Sequence, residues 1–161
     1  MKLHLWRFLN TSIISNPVKI KLGFVLVLLA ILNGCAIRQT VKPVDKFDDK
    51  QICIIENTAV RSGFLDAYKR VLTQKGYVVK QLPAGASLIE CPITSTYTAN
   101  WRWDLAIYMS YAEIIVYNNA KPAGQASYDA TRGGGNMNKF IDADKKISEL
   151  VNQLFPGGAG L

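Results

Sequence analysis

Histidine is all but missing. The only one among 161 residues, His4, lies in a leading segment that the export signal described below would remove. Without histidine a chain cannot activate a nucleophile in the usual Ser-His-Asp or Cys-His manner, and it lacks the ligand that most zinc sites use. No catalytic residue, cofactor or metal site is therefore expected. A membrane-crossing run is missing too. The longest apolar stretch, Leu22 to Leu32, has about half of the ~20 residues that a span requires, and Asn33, Gly34 and Arg38 stop it. Nor is there a dense basic cluster. The formal charge is +7, but Lys2, Arg7, Lys19 and Lys21 precede Cys35 and all twelve acidic residues follow it. That leaves fifteen basic against twelve acidic groups from Cys35 onward, so the basic character belongs largely to the leader and a nucleic-acid partner is not expected.

What is present begins with that leader. Lys19 and Lys21, an apolar run, and then Leu32-Asn33-Gly34-Cys35 have the order of a secretory signal with small residues at the cut site. The cysteine directly after glycine resembles the signal of bacterial lipoproteins, which implies cleavage after residue 34 and lipidation (palmitate-type acylation) of Cys35. Asn33 departs from that pattern, in which a small or aliphatic residue usually stands two before the cysteine. The long stretch 1–16 is read as an upstream start codon. One acyl chain holds a protein to a membrane only marginally, whereas two anchor it stably. Ala36 in place of aspartate implies the outer membrane, with the domain facing the periplasm.

Residues 35–50 are polar and mixed in charge, and are expected to be a flexible tether after the lipidated end. A single domain is expected over 51–156, with a flexible tail at 157–161. The run 51–56 reads as a strand apolar on both faces, 61–75 as a helix capped by Ser62 and ended by Gly76, and 77–82 as a strand. Residues 83–87 form a loop. From Ile93 to Asp104 the alternation is clear. Ile93, Tyr97, Ala99, Trp101 and Trp103 share one face, and Thr94, Thr96, Thr98, Asn100, Arg102 and Asp104 share the other. Further strands are expected over 105–117 and 123–131, joined by turn chemistry at 118–122, although the turn after Trp103 carries no strong signal. A closing helix over 139–154 ends at Pro156. The fold class is therefore α/β (α+β), a two-layer sandwich with a mixed five-stranded sheet, two helices on one face and the order β-α-β-β-β-β-α.

This layout is similar to a family of small uncharacterised Gram-negative putative lipoproteins. Trp101-Arg-Trp-Asp104, Tyr108-Met109, Ala112-Glu113 and Ala126-x-Tyr128 carry the likeness, with the closing Lys-Ile-x-x-Leu-Val-x-Gln-Leu-Phe-Pro. More distantly, in topology only, it is similar to the outer-membrane lipoproteins that activate penicillin-binding proteins and to the periplasmic domain of the curli secretion channel. The family implies no catalytic residues.

In an exported chain two remaining cysteines read first as a disulfide, here Cys53–Cys91. The two tryptophans, two apart, fit stacking on sugar rings of peptidoglycan or lipopolysaccharide or anchoring a protein interface, but strand alternation assigns them to the core. Gly133-Gly-Gly135, with Arg132 and Lys139 nearby, could form an anion-binding nest, but it lacks the Walker and dinucleotide patterns and reads instead as a flexible connection into the last helix. Glu113 with Asp104 or Asp129 could imitate a glycosidase carboxylate pair, though nothing sets two of them at a working distance; Glu113 at a sheet edge or paired with Arg102 is the plainer expectation. The partner surface expected is the polar sheet face, centred on Thr98, Asn100, Arg102 and Asp104 and continued by Gln125, Ser127 and Asp129. The function expected is a lipid-anchored, non-catalytic envelope module, held to the membrane at Cys35 and binding an envelope protein or peptidoglycan. The alternatives are a small carboxylate-dependent cell-wall or glycan hydrolase and a purely structural lipoprotein.

Overall fold

A computed structural model describes residues 36–47 and 49–159. The expected signal and Cys35 lie outside these residues. The described chain runs β1 (Arg38–Lys42), β2 (Gln51–Ile55), α1 (Ser62–Gln74), β3 (Val78–Leu82), β4 (Ile93–Asp104), β5 (Ala106–Asn118), β6 (Lys121–Asp129), a 3-10 turn (Met137–Phe140) and α2 (Ala143–Leu154). The sheet is mixed, in the order β1-β6-β5-β4-β2-β3, with β2 parallel to both β3 and β4 and all other pairs antiparallel.

The α+β class stands, but among the described residues the sheet has six strands and not five. The sixth comes from the expected tether. Arg38–Lys42 pairs antiparallel with β6, and Val44 and Phe47 are buried behind it. The Val44 N–H donates to the Leu154 carbonyl at 2.9 Å, tying this segment to the end of α2. Polar residues in this stretch suggested solvation, yet an edge strand needs only one apolar side. Val41 supplies it, while Gln39 donates to Glu149 of α2. Gly124 permits the close approach behind it: a Cβ there would lie 2.4 Å from the Val44 side chain and 3.0 Å from the Lys42 carbonyl.

Both helices lie on one sheet face and share one core with it. From α1 come Phe64, Leu65, Ala67, Tyr68, Val71 and Leu72, all buried at helical spacing. From α2 come Ile147, Leu150, Val151 and Leu154, which meet Ile52, Ile54, Ala112, Ile114 and Val116 of the central strands. Tyr68 is wholly buried; its hydroxyl bonds to Ser95 at 2.8 Å, and burial pushes its ionisation far above the ordinary tyrosine value. Ser62 begins α1 without a side-chain cap, whereas Gly76, at φ +87°, ends it as its sequence position implies. The closing helix starts later than its apolar stripe suggests. Asp142 caps it by accepting the Lys145 N–H, so residues 137–140 form a separate 3-10 turn.

The opposite face is partly covered as well. A Cys53–Cys91 disulfide, expected from compartment chemistry, fastens the 83–92 loop over β2 and β4. Cys53, Leu82 and Cys91 form a second small core there. Thr94, assigned to the open polar face, is consequently buried, its hydroxyl donating to the carbonyls of Leu88 and Cys91.

Candidate functional site

Strand register turns the open part of the outer sheet face into a grid. Arg38, Asp129, Tyr111 and Asn100 form one cross-strand row. Thr40, Ser127, Glu113 and Thr98 form the next, and Lys42, Gln125, Ile115 and Thr96 the one beyond. Of the four residues expected to centre a partner surface, Asn100, Arg102 and Asp104 are exposed and Thr98 is half-buried. They do not form one patch. Thr98 and Asn100 belong to the grid, while Arg102 and Asp104 stand on an arm that leaves it.

Glu113 is not paired with Arg102. It accepts a hydrogen bond from Gln125 Nε2 at 2.7 Å, diagonally across β6. Asp129 accepts from both the hydroxyl and the backbone N–H of Thr131. Those two hydrogen bonds, the side-chain one first, hold its carboxyl below the ordinary value near 3.8. Because the folded value lies below the unfolded one, this group stabilises the fold above the ordinary carboxylate value, and the contribution is lost as pH falls from there through the folded value. Asp129→Asn should therefore flatten the acid limb of a stability-versus-pH curve measured by denaturant unfolding, with the two proteins converging in acid.

The arm arises where the pairing of β5 with β6 stops, at Tyr111 and Asp129. The β4–β5 register shifts between Asn100 and Trp101, and the Ser110 hydroxyl fills the irregularity by donating to the Asn100 carbonyl at 3.2 Å. Beyond it only β4 and β5 continue, pairing Trp101 with Met109, Arg102 with Tyr108, Trp103 with Ile107 and Asp104 with Ala106. The base of the arm is braced. The Arg61 guanidinium lies over the Trp101 ring, 5.1 Å from its centroid, and Tyr108 packs edge-on against Phe140 at 5.5 Å. Lys139, although 4% exposed, reaches Asp104 and the Gly134 carbonyl, so the glycine-rich segment is a seat for a lysine more than a loose connection. Between base and helices lies a groove of about 400 Å³, with Arg61, Trp101, Tyr108, Phe140 and Asp142 among its walls.

The two tryptophans part company here. Trp101 is half-buried against the core, but Trp103 is 74% exposed, which corrects its assignment to the interior. Alternation does place both on the same side. The helices do not extend under Trp103, so its side faces solvent. The hairpin turns on Leu105, which is 79% exposed and has φ +61°. A left-handed leucine carries no turn signature, which is why no turn was legible there. Ile107, 58% exposed, completes an apolar tip that sequence reasoning missed. The sequence shows Trp103, Leu105 and Ile107 at alternate positions, but not that the two helices stop short of them.

Among the described residues no helix is long and apolar enough to cross a membrane, and no group of three or more His, Cys, Asp or Glu could hold a metal ion.

No family model matches this chain, and no curated protein matches it. Two solved structures from Paraburkholderia phytofirmans are similar in outline. A PelC dodecamer is 11% identical with a TM-score of 0.48, over 77% of this chain and 99% of that one. A single-substitution variant of it is 10% identical with a TM-score of 0.46, over 74% and 92%.

Proposed function

We propose that the protein is a lipid-anchored envelope lipoprotein, acylated at Cys35, whose domain binds another envelope component without catalysing a reaction. The observation that carries this reading is the start of the fold. β1 begins at Arg38, three residues after Cys35, so the domain follows the expected anchor with almost no spacer. A short connection makes mechanical sense when a domain has to be held at a membrane surface in a fixed attitude. The Cys53–Cys91 disulfide fits an exported chain, since such bonds persist in oxidising compartments. The grid of hydroxyl, amide and charged side chains, Arg38 among them, offers a flat recognition surface.

The hydrolase alternative gains no support from the geometry. A glycosidase general acid needs a raised pKa. Asp129 is instead lowered, Asp104 is ion-paired with Lys139, and Glu113 accepts from Gln125. On this reading Ala36, where an aspartate would favour retention at the inner membrane, fits an anchor in the outer membrane with the domain facing the periplasm.

Fractionation of cells tests the anchor. The native chain should sediment with outer membranes and resist washing with salt, while Cys35→Ala should remain unprocessed or become soluble. A native chain found wholly in the soluble periplasm contradicts the reading.

A further inference from the structure

We infer that the tip of the β4–β5 arm, Trp103, Leu105 and Ile107, inserts into the lipid surface beside the acylated N-terminus as a second membrane contact. This rests on the lipoprotein reading above and adds an attitude for the domain. β1 runs antiparallel to β6, β6 to β5, and β5 to β4. The N-terminal end of β1 and the turn of the arm therefore lie at the same end of the sheet. Arg38 and Asn100 belong to one cross-strand row. From Asn100 the arm runs five residues to Leu105, or about 16 Å at strand rise. From Arg38 the chain has three residues back to Cys35, a reach of up to about 10 Å. Three strand spacings, roughly 14 Å, separate the two sideways. Anchor and tip can thus meet one membrane plane together.

The chemistry of the tip fits a lipid interface better than water. Tryptophan favours the boundary between headgroups and acyl chains, where its ring is apolar and its N–H still finds a partner. Leucine at a left-handed turn position is a costly choice where glycine would be free, and the fold gains no burial from it. The arm's surroundings are suited to phosphate headgroups. Arg38, Arg61, Arg102 and Arg132 are exposed toward this end; of the carboxylates there, Asp104 pairs with Lys139, Asp129 accepts from Thr131, and Asp142, in the groove at the arm's base, accepts from the Lys145 N–H. The arm is also stiff enough to transmit an orientation, because its base is fixed by Arg61, Phe140 and Lys139.

The test uses the chain purified from membranes and placed in vesicles of phosphatidylethanolamine and phosphatidylglycerol with brominated acyl chains. From Cys35 onward the protein has two tryptophans, so Trp101→Phe leaves Trp103 as the sole reporter and Trp103→Phe leaves Trp101. Bromolipid should quench most of the emission of the Trp101→Phe protein and little of the Trp103→Phe protein. Leu105→Gly added to Trp101→Phe should keep the thermal midpoint and reduce the quenching. Trp103 emission untouched by bromolipid overturns the inference in either of two forms. If aqueous iodide quenches it, the tip faces water. If neither quencher reaches it, a second copy of the chain covers the tip. The mass of the N-terminal peptide separates this from a failure of the anchor. If Cys35 carries no acyl group, the lipoprotein reading fails, and the same quenching on the unacylated chain mixed with vesicles still decides the tip, by its presence or its absence.

Discussion

Replacing Cys53 and Cys91 together by alanine is expected to lower the stability of the domain by about 4 kcal/mol. The bond closes a loop of 38 residues that contains all of α1 and β3. In the chain-entropy model, opening a loop of that length frees the unfolded chain by about 4 kcal/mol. Two further losses act in the same direction. Cys53 is fully buried and Cys91 is 6% exposed, so their truncation empties part of the small core they form with Leu82. The 83–92 loop would also lose its fastening over Thr94, whose hydroxyl depends on two carbonyls of that loop. Urea unfolding of the oxidised protein and the double variant measures the difference. A change below about 1 kcal/mol would mean that the loop stays closed without the bond, held by its own packing.

Phe64→Ala is expected to cost about 3–5 kcal/mol, and Trp103→Ala less than about 0.5 kcal/mol. Both remove a large aromatic ring, so the contrast isolates burial. Phe64 is 1% exposed and stacks on Tyr97 with ring centroids 5.1 Å apart, between α1 and β4. Truncation there leaves a void against the Tyr97 ring, in a core packed too closely to collapse fully into it. Trp103 is largely exposed and leaves no void. Equal losses for the two variants would mean that the arm folds back and buries Trp103, which would remove the basis for a membrane-facing tip.

Periodicity made most of this fold legible. The apolar stripe of α1, the alternation of β4 and the glycine ending α1 all lie where physical spacing puts them. Three things were not legible, each for a physical reason. β1 is an edge strand with one apolar residue, Val41, facing the core, too little to outweigh its polar neighbours. Its pairing with β6 is a long-range event that no local pattern records. The start of α2 was hidden because Phe140 continues the helical stripe in sequence, while the Asp142 cap and the turn seating Lys139 interrupt the backbone. For the tryptophans, alternation gave the side correctly and the depth wrongly. Which side a residue points to is local, but whether anything covers that side depends on where the helices end. The candidate site suffered most from this. Thr94 was lost to the disulfide-bound loop, and Arg102 and Asp104 moved from a flat face to a projecting arm. The disulfide needed only composition and compartment.

Mass spectrometry of the protein extracted from cell membranes tests the central claim most directly. The account predicts that the N-terminal peptide begins at Cys35 and carries the added mass of acyl chains, with residues 1–34 gone. An N-terminal peptide that retains residues before Cys35, or a Cys35 without acyl mass in protein taken from the membrane fraction, would contradict it.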